Sequence, residues 1–406
     1  MEPEPTKNGY GGSVMKSVKG ILQIIKAELN LVIADHSILL TVLIAPLLYA
    51  LFLGTIYIKK DINRISFAVV DMDNSATTMK LTRLLSASSK VDVKAKLHSY
   101  LKAEDLMFKQ KITGFLYFPA GFEKALMRLE GANATVYLNT TRFLPSNDLN
   151  KAINMVMLTA GSGVRLRFFE SNGINPKHGM ELINPILPEV RAIYNPTNNY
   201  GDFLLPGLLF LILQQTLLIG MGESVSKDNE LDKLRGYVCK KNGVLQYMVG
   251  KPAYYLFLYF AYFMIFFFGV YPFFGLHITG SIPALFLTGM VFVMVVSVLA
   301  ILLGTFVKSQ IRYMEIMAFT TYPFFLTSGY SWPVTAMPQP LQWLAQVIPT
   351  THFLHAGTRL VVMSGTWNDV AVDVYKLLIL LGLFSVLAVW RLWVMKKQYT
   401  KQLKAA

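Results

Sequence analysis

SILLTVLIAPLLYALFLGTIYI, Ser37–Ile58, carries no charged side chain from end to end. At 1.5 Å per residue, about 22 helical residues cover the hydrocarbon core of a bilayer, about 30 Å thick. The stretch is too long for the apolar core of a signal peptide, and no small-residue cleavage site precedes Lys59-Lys60-Asp61, so it reads as a retained anchor. Beyond it the chain is mostly polar from Lys59 to Asp202. Five more apolar stretches then crowd the C-terminal half: Phe203–Gly222, Pro252–Phe274, Pro283–Val307, Tyr313–Tyr330 and Tyr375–Val394. This one-plus-five spacing predicts an α-helical integral membrane protein with six transmembrane helices and an α/β extracytoplasmic domain inserted between helices 1 and 2. With 53% hydrophobic and only 15% charged residues, and a mean hydropathy of +0.43, the chain is too apolar for a soluble protein.

Charge placement orients the spans. Lys7, Lys16, Lys19 and Lys26 precede the first, six Lys and Arg residues from Lys227 to Lys251 separate the second from the third, and Lys308 and Arg312 separate the fourth from the fifth. Arg391, Lys396, Lys397, Lys401 and Lys404 close the chain, whereas Gly275–Ile282 has no basic residue and Trp332–Val374 only Arg359. The positive-inside rule then puts both termini in the cytoplasm. The net charge of +14 is largely these flanks facing anionic membrane lipid. No basic stripe interleaved with aromatics appears, which argues against nucleic acid as a partner. The lone Cys239 falls in a cytoplasmic loop, so the inserted domain has no disulfide.

Within the insert the periodicity changes. Ile65–Val70 reads as a buried strand, Thr77–Ser86 as a helix, Val91–Val93 as a short strand, Ala103–Lys109 as a helix and Gly114–Phe118 as a strand. Pro119 opens a helix through Phe122, Leu126 and Leu129; Thr135–Leu138 is a fourth strand, and a long helix follows from Ser146 to about Glu170. Catalytic chemistry finds no constellation here. Asp71 and Asp73 lack the further ligands of a calcium loop and read as caps for the next helix, while His98 and His178 stand alone. His352 and His355 lie one turn apart without other metal ligands nearby. Neither a metal nor a catalytic residue is expected.

The specific signals lie in the membrane half. Asn195-Pro196-Thr197 precedes the second span and Leu205-Pro206-Gly207 lies inside it. Later come Ser328-Gly329-Tyr330-Ser331-Trp332-Pro333, Met337-Pro338, Leu341-Gln342-Trp343, Ile348-Pro349-Thr350-Thr351, Arg359 and Gly365. Their prolines break regular helix and their tryptophans suit a membrane interface, which predicts short amphipathic or re-entrant helices at the outer leaflet, with Phe353 also interfacial. In order and spacing this run, together with the topology, resembles the ABC-2-type transporter permeases, the subset with a large periplasmic domain after the first transmembrane helix.

The resemblance implies a permease subunit of an ABC exporter in the bacterial inner membrane, multi-pass, moving a drug, lipid or other envelope compound outward. It implies a second permease copy or a paralogue as dimer partner. No Gly-x-x-x-x-Gly-Lys-Ser/Thr occurs in the chain, so no cofactor is expected on it: ATP and magnesium belong to separate ABC ATPase subunits. The insert leaves room for a periplasmic adaptor and an outer-membrane channel. By this reading residues 1–36 are a cytoplasmic amphipathic connecting helix, with Val18, Ile21, Leu22, Ile25 and Leu29 on its apolar face. Residues 37–58 are the first transmembrane helix, 59–202 the extracytoplasmic domain, 203–394 the five-helix membrane domain and 395–406 a cytoplasmic tail.

Segment 223–251 is the ATPase-coupling candidate. A short charged helix from Glu223 to its stop at Gly236 would offer Glu223, Glu230, Asp232 and Arg235, with Val225, Leu231 and Leu234 forming an apolar side. Reversing the charge at Glu230 or Arg235 should then abolish ATP-dependent transport. Gln214, Gln215, Ser328 and Tyr330 are translocation-path candidates, although helix-to-helix hydrogen bonding is the favoured account of the glutamines. The outer segment 331–372, with Trp332, Pro333, Pro338, Pro349 and Arg359, would gate the pathway. The aromatic third span, Tyr254 to Phe267, reads as a lipid-facing or dimer surface. Glu315 reads as an end-of-helix or Arg312-paired residue ahead of a proton carrier. The alternative from another class is a membrane-anchored signalling or binding protein using the inserted domain.

Overall fold

The computed structural model describes residues 8–58, 62, 64–128, 130–183, 191, 193–195 and 200–405, with side chains from 18 to 401 except at 321. Lys59-Lys60-Asp61, Leu129, Pro196 and Thr197, and the side chains of Lys7, Lys16 and Lys404, lie outside the described residues. The chain divides into two compact units, Met1–Lys60 with Ala192–Ala406, and Asp61–Arg191.

The first unit begins with α1 (Asn8–Ala34), turns at Asp35, and continues as α2 (His36–Ile56), which holds a π-turn at Leu40–Ile44. Helix α1 buries Ile24, Glu28 and Val32, one stripe at helical spacing, while Val18, Leu22, Leu29 and Ile33 stay exposed. The protein-facing stripe is thus rotated from the apolar face expected from sequence, of which Val18, Leu22 and Leu29 are exposed and Ile21 and Ile25 half-buried.

In the second unit, β1 (Ile65–Asp71), α3 (Ala76–Ala87), β2 (Val91–Leu97), α4 (Tyr100–Phe108), β3 (Gly114–Phe118), α5 (Phe122–Met127), β4 (Thr135–Leu138), α6 (Phe143–Ser171) and α7 (Pro176–Ile183) follow in order. The sheet order is β2-β1-β3-β4, with β1 parallel to β2 and β3, and β4 antiparallel to β3. Alternation of side chains gives it two cores. Phe67, Val69, Leu116 and Phe118 pack on Leu81, Leu85, Leu149 and Ile153, whereas Ala68, Val70 and Phe115 pack on Ala103 and Ile112. Strand β2 runs past the expected Val93 to Leu97, because Ala95, Lys96 and Leu97 pair with Ala68, Val69 and Val70 after a bulge. Its lysines, Lys94 and Lys96, suit an edge strand that must not recruit another chain.

Back in the first unit come α8 (Tyr200–Glu230), α9 (Lys233–Val238), α10 (Gly243–Phe273), α11 (Ile282–Gly304), α12 (Gln310–Thr327), α13 (Gln339–Val347), α14 (Pro349–Val361) and α15 (Trp367–Ala405). Among the described residues, five helices are long and apolar enough to cross a membrane: α2, α8, α10, α11 and the part of α15 to Lys401. The fifth expected span, Tyr313–Tyr330, falls on α12, which has 18 residues and is not among the five. Arg312, Glu315 and its threonines lower its apolarity. Helix α11 packs against α8, α10, α14 and α15 at the centre of the unit. Tyr255, Tyr259, Tyr262, Phe263, Phe266 and Phe267 of α10 are buried in this same core. That corrects the expectation of a lipid-facing or dimer surface at these six rings: Phe263 and Phe267 meet Phe286 edge-to-face, and Phe263 meets Phe353 in the same way, all within the chain.

Candidate functional site

Helix α8 has 31 residues. At 1.5 Å per residue that is about 46 Å, well beyond the hydrocarbon thickness. Its C-terminal surplus carries Glu223, Ser224, Ser226, Asp228 and Asn229, all no more than 6% exposed. Burying so many polar groups requires partners, because an isolated charge in a low-dielectric interior is very costly.

The partners come from distant segments. Lys251 of α10, fully buried, places its Nζ 3.0 Å from Oε2 of Glu28 in α1 and 2.5 Å from Oδ2 of Asp228 in α8. Tyr255 OH and Ser224 Oγ donate to Glu28 Oε1 at 2.8 and 2.6 Å, and Tyr247 OH donates to Asp228 Oδ2 at 3.0 Å. A second cluster forms at the α1–α2 elbow. Asp35 Oδ1 accepts from the Ser37 and Ile38 N–H groups, and its Oδ2 accepts from Lys227 Nζ and from Gln310 Nε2 at 3.0 Å. Burial works to raise the Asp35 pKa, but the Lys227 ammonium, the Gln310 amide and the Ile38 N–H outweigh it and hold the carboxyl below its usual value. Gln310 also donates through Nε2 to Glu223 Oε1 at 2.8 Å and through its backbone N–H to Glu230 Oε2 at 3.0 Å. The two clusters therefore tie α1, α8, α10 and the start of α12 together. Moving one of these helices alone would leave buried charge unpaired.

The coupling candidates divide between its interior and its rim. Glu223 is 1% exposed and points inward, with Oε2 unpartnered among the described residues. Glu230 and Asp232 are exposed, and Arg235 holds its guanidinium 5.9 Å from the Tyr399 ring centre. The separate helix expected from Glu223 to Gly236 does not form. Helix α8 instead continues unbroken to Glu230, Asp232 adopts a left-handed φ of 56°, and α9 carries Gly236 inside it. The polar face of Ser224 and Asp228 finds buried partners, so nothing stops α8 at the membrane surface. Val225 and Leu234 are buried, but Leu231 is half exposed and is not part of an internal apolar side.

Of the pathway candidates, Gln214 accepts from Thr350 Oγ1 of α14, a helix-to-helix bond, whereas Gln215 is 6% exposed and its amide has no partner among the described residues. Ser328 is buried and donates to its own Phe325 carbonyl at 2.6 Å. Tyr330 reaches α8: its hydroxyl donates to Phe203 O and accepts from Gly207 N at 3.2 Å, and its ring stacks on Phe203. It thereby enters the helix ladder beside Pro206, where the proline supplies no N–H. Gly207 permits this approach, since a Cβ there would lie 2.3 Å from the tyrosine ring.

In the outer segment Trp332, Pro333 and Pro338 are exposed and Pro349 is buried. Two short helices, α13 and α14, occupy the stretch. Arg359 Nη1 donates to Asp373 Oδ2 at 2.7 Å and to the Asp369 carbonyl at 3.1 Å, fixing α14 to α15. Phe353 is not interfacial: it is fully buried, stacked on Phe292 with ring centres 4.0 Å apart. His352 donates from Nε2 to Gln346 O, and burial holds both His352 and His355 below the usual imidazole range. No group of metal-binding side chains occurs among the described residues.

Sequence reasoning missed Glu28, Asp35, Asp228, Lys251 and Gln310. One signal was available for Glu28. It lies at helical spacing between Ile24 and Val32, and a carboxylate inside an apolar stripe needs a buried cation.

Comparison with known proteins agrees with this architecture. Over 343 residues, 84% of this chain and 89% of the relative, the chain is 23% identical to the "Probable multidrug ABC transporter permease YbhR" of Escherichia coli strain K12, and equally to the protein of that name in strain O157:H7. It is 24% identical to "ABC transporter G family member 20" of Dictyostelium discoideum over 177 residues, 42% of this chain and 23% of that protein. The profile described as ABC-2 family transporter protein matches residues 36–394, nearly the whole chain, including both clusters' residues from His36 onward. A match of that extent sets aside the signalling alternative: the chain belongs to the ABC-2 family of transporter proteins and is a multi-pass membrane subunit of an ABC transporter.

Proposed function

We propose that this permease is the exporting membrane half of an ATP-driven pump, with its energy supplied by ABC ATPase subunits on other polypeptides. The observation that carries the reading is a family match over residues 36–394 in a chain whose 406 residues contain no phosphate loop. In this reading α12 is a sixth, shorter span, both termini are cytoplasmic in the inner membrane, and residues 59–202 lie outside. A second copy or a paralogue completes the pathway, and the inserted unit is the natural contact for a periplasmic adaptor leading to an outer-membrane channel. Amphipathic drug-like compounds are the substrate class, by analogy with the multidrug name of the Escherichia coli relative.

The ATPase contact is the rim of the polar junction. Glu230, Asp232, Lys233 and Gly236 are exposed there and follow buried Asp228 and Asn229 in the chain. Glu230 and Arg235 both make internal contacts, so reversing them disturbs the junction as well as the rim. Asp232 and Lys233 are the cleaner probes. With the permease and its ATPase co-reconstituted in proteoliposomes, Asp232→Lys combined with Lys233→Glu should lower ATP-dependent dye transport at least tenfold with membrane insertion unchanged. Full transport by this variant rejects the contact, and transport equally fast without any ATPase rejects the ATP-driven reading.

A further inference from the structure

The sheet of the inserted unit has two ends, and they differ. Ligands of open α/β sheets usually lie beyond the carboxyl ends of the strands, where the connections diverge to either side. Here that end is closed by its own side chains. Asp73 accepts from Gly121 N at 2.7 Å and Glu123 N at 3.0 Å, and Glu123 in turn accepts from Thr77 N and Oγ1. Asp71 is occupied by Asp73 N, Asn74 N and Thr78 Oγ1.

The opposite end is open. A cavity of 580 Å³ lies where β1 and β3 begin and β4 ends, within the 300–1,000 Å³ that drug-sized ligands occupy. Ile62, Ile65, Phe143 and Leu144 give it apolar walls, Lys111 and Arg142 are its charged residues, and no carboxylate among the described residues lines it. Neither cation forms an ion pair among the described residues, and Phe143 leaves 70% of its surface exposed beside them. The walls are preformed. Lys111 N donates to Leu106 O across the left-handed Gln110, whose φ of 57° closes α4 and which itself lines the cavity. On the other side Asn139 Oδ1 binds Thr141 N and Oγ1, and the Asn139 carbonyl accepts from Arg142 N and Ser146 Oγ, which holds the turn that presents Arg142.

We infer that this cavity is a binding site for a soluble amphipathic organic anion of drug size, its carboxylate or sulfonate between Lys111 and Arg142 and its apolar body against Phe143 and Leu144. Two cations that line one apolar cleft, unpaired among the described residues, are complementary to that chemistry, and a guanidinium recognises a planar anion with two hydrogen bonds. The site stands apart from the transport reading, because its occupancy needs neither ATP nor an ATPase.

The test uses the full chain in nanodiscs of neutral phosphatidylcholine, with dansyl-undecanoate as the fluorescent probe and its methyl ester as the uncharged comparison. The acid should bind at least tenfold more tightly than the ester. Lys111→Glu and Arg142→Glu should each weaken it about tenfold, while Lys80→Glu, an exposed lysine away from the cavity, should not, with melting temperatures unchanged throughout. Equal affinity for acid and ester, or unchanged affinity in both cavity variants, overturns the site. So does a wild-type chain that does not bind the acid at all, which would leave this face to a protein partner.

Discussion

The two units satisfy their polar groups by different routes. In the inserted unit the bonds are mostly local: Ser75 and Thr78 cap α3 across three residues, and Asp71 binds the two N–H groups that follow it. In the membrane unit they are distant, joining Glu28 to Ser224 and Tyr255, Asp35 to Gln310 and Lys251 to Asp228. Local caps let a unit tolerate the loss of one group, since water reaches the orphan. A buried long-range cluster has no such substitute, so its loss should be felt by every helix it joins.

The strongest test of that contrast is Lys251→Met, which leaves Glu28 and Asp228 buried without their cation. Breaking a buried pair from one side costs about 3–5 kcal/mol, whereas replacing all the members can be nearly neutral. The single variant should therefore melt far below wild type, and the triple Glu28→Gln, Asp228→Asn, Lys251→Met should recover most of the loss. Cys239, the lone cysteine, lies half-buried in the membrane unit, so a thiol-reactive dye reports this unit selectively. A triple variant no better than the single one would show that the charges are needed for themselves. Next in size is Gly207→Ala, which drives a methyl into the Tyr330 ring and should cost about 1–3 kcal/mol by overpacking, read by the same dye.

This division also explains what the sequence disclosed. Strands Gly114–Phe118 and Thr135–Leu138 have the ends their local pattern indicates, because alternation and turn residues act over a few positions. Gln214 carries a visible cost inside an apolar span, yet its partner Thr350 lies 136 residues away and nothing local announces it. Lys251 looked like a cytoplasmic flank because composition counts a lysine near a helix end as solvated. Phe353 looked interfacial for the same reason, and only the packing of α11 on α14 shows it between Phe210 and Phe292. The candidate site was legible as a segment, not as a set of partners. Its exposed rim, Asp232 to Gly236, is local; the junction beneath it comes from four elements far apart in the chain.

The smallest expected effect belongs to the inserted unit, at one of its few bonds that are distant in the chain yet partly open to water. Asp73→Ala removes the acceptor for Gly121 N and Glu123 N at the start of α5, and loss of a capping side chain costs about 1 kcal/mol. Hydrogen exchange of the β1 and β3 amides should speed up modestly while the Cys239 dye curve stays unchanged. The same carboxylate sets a pH limit. Hydrogen bonding from Ser75 first, and then from the Glu123, Gly121 and Phe122 N–H groups against a small opposing effect of burial, holds its pKa below the usual aspartate value. A depressed folded-state pKa contributes stability that is fully present above the unfolded value of about 3.9 and is lost as pH falls through the folded one. Sheet protection in wild type should thus be flat from pH 7 to about 5 and decline below about 4, and Asp73→Ala should remove part of that decline. An acid profile identical in the two proteins would mean that Asp73 is solvated rather than capping.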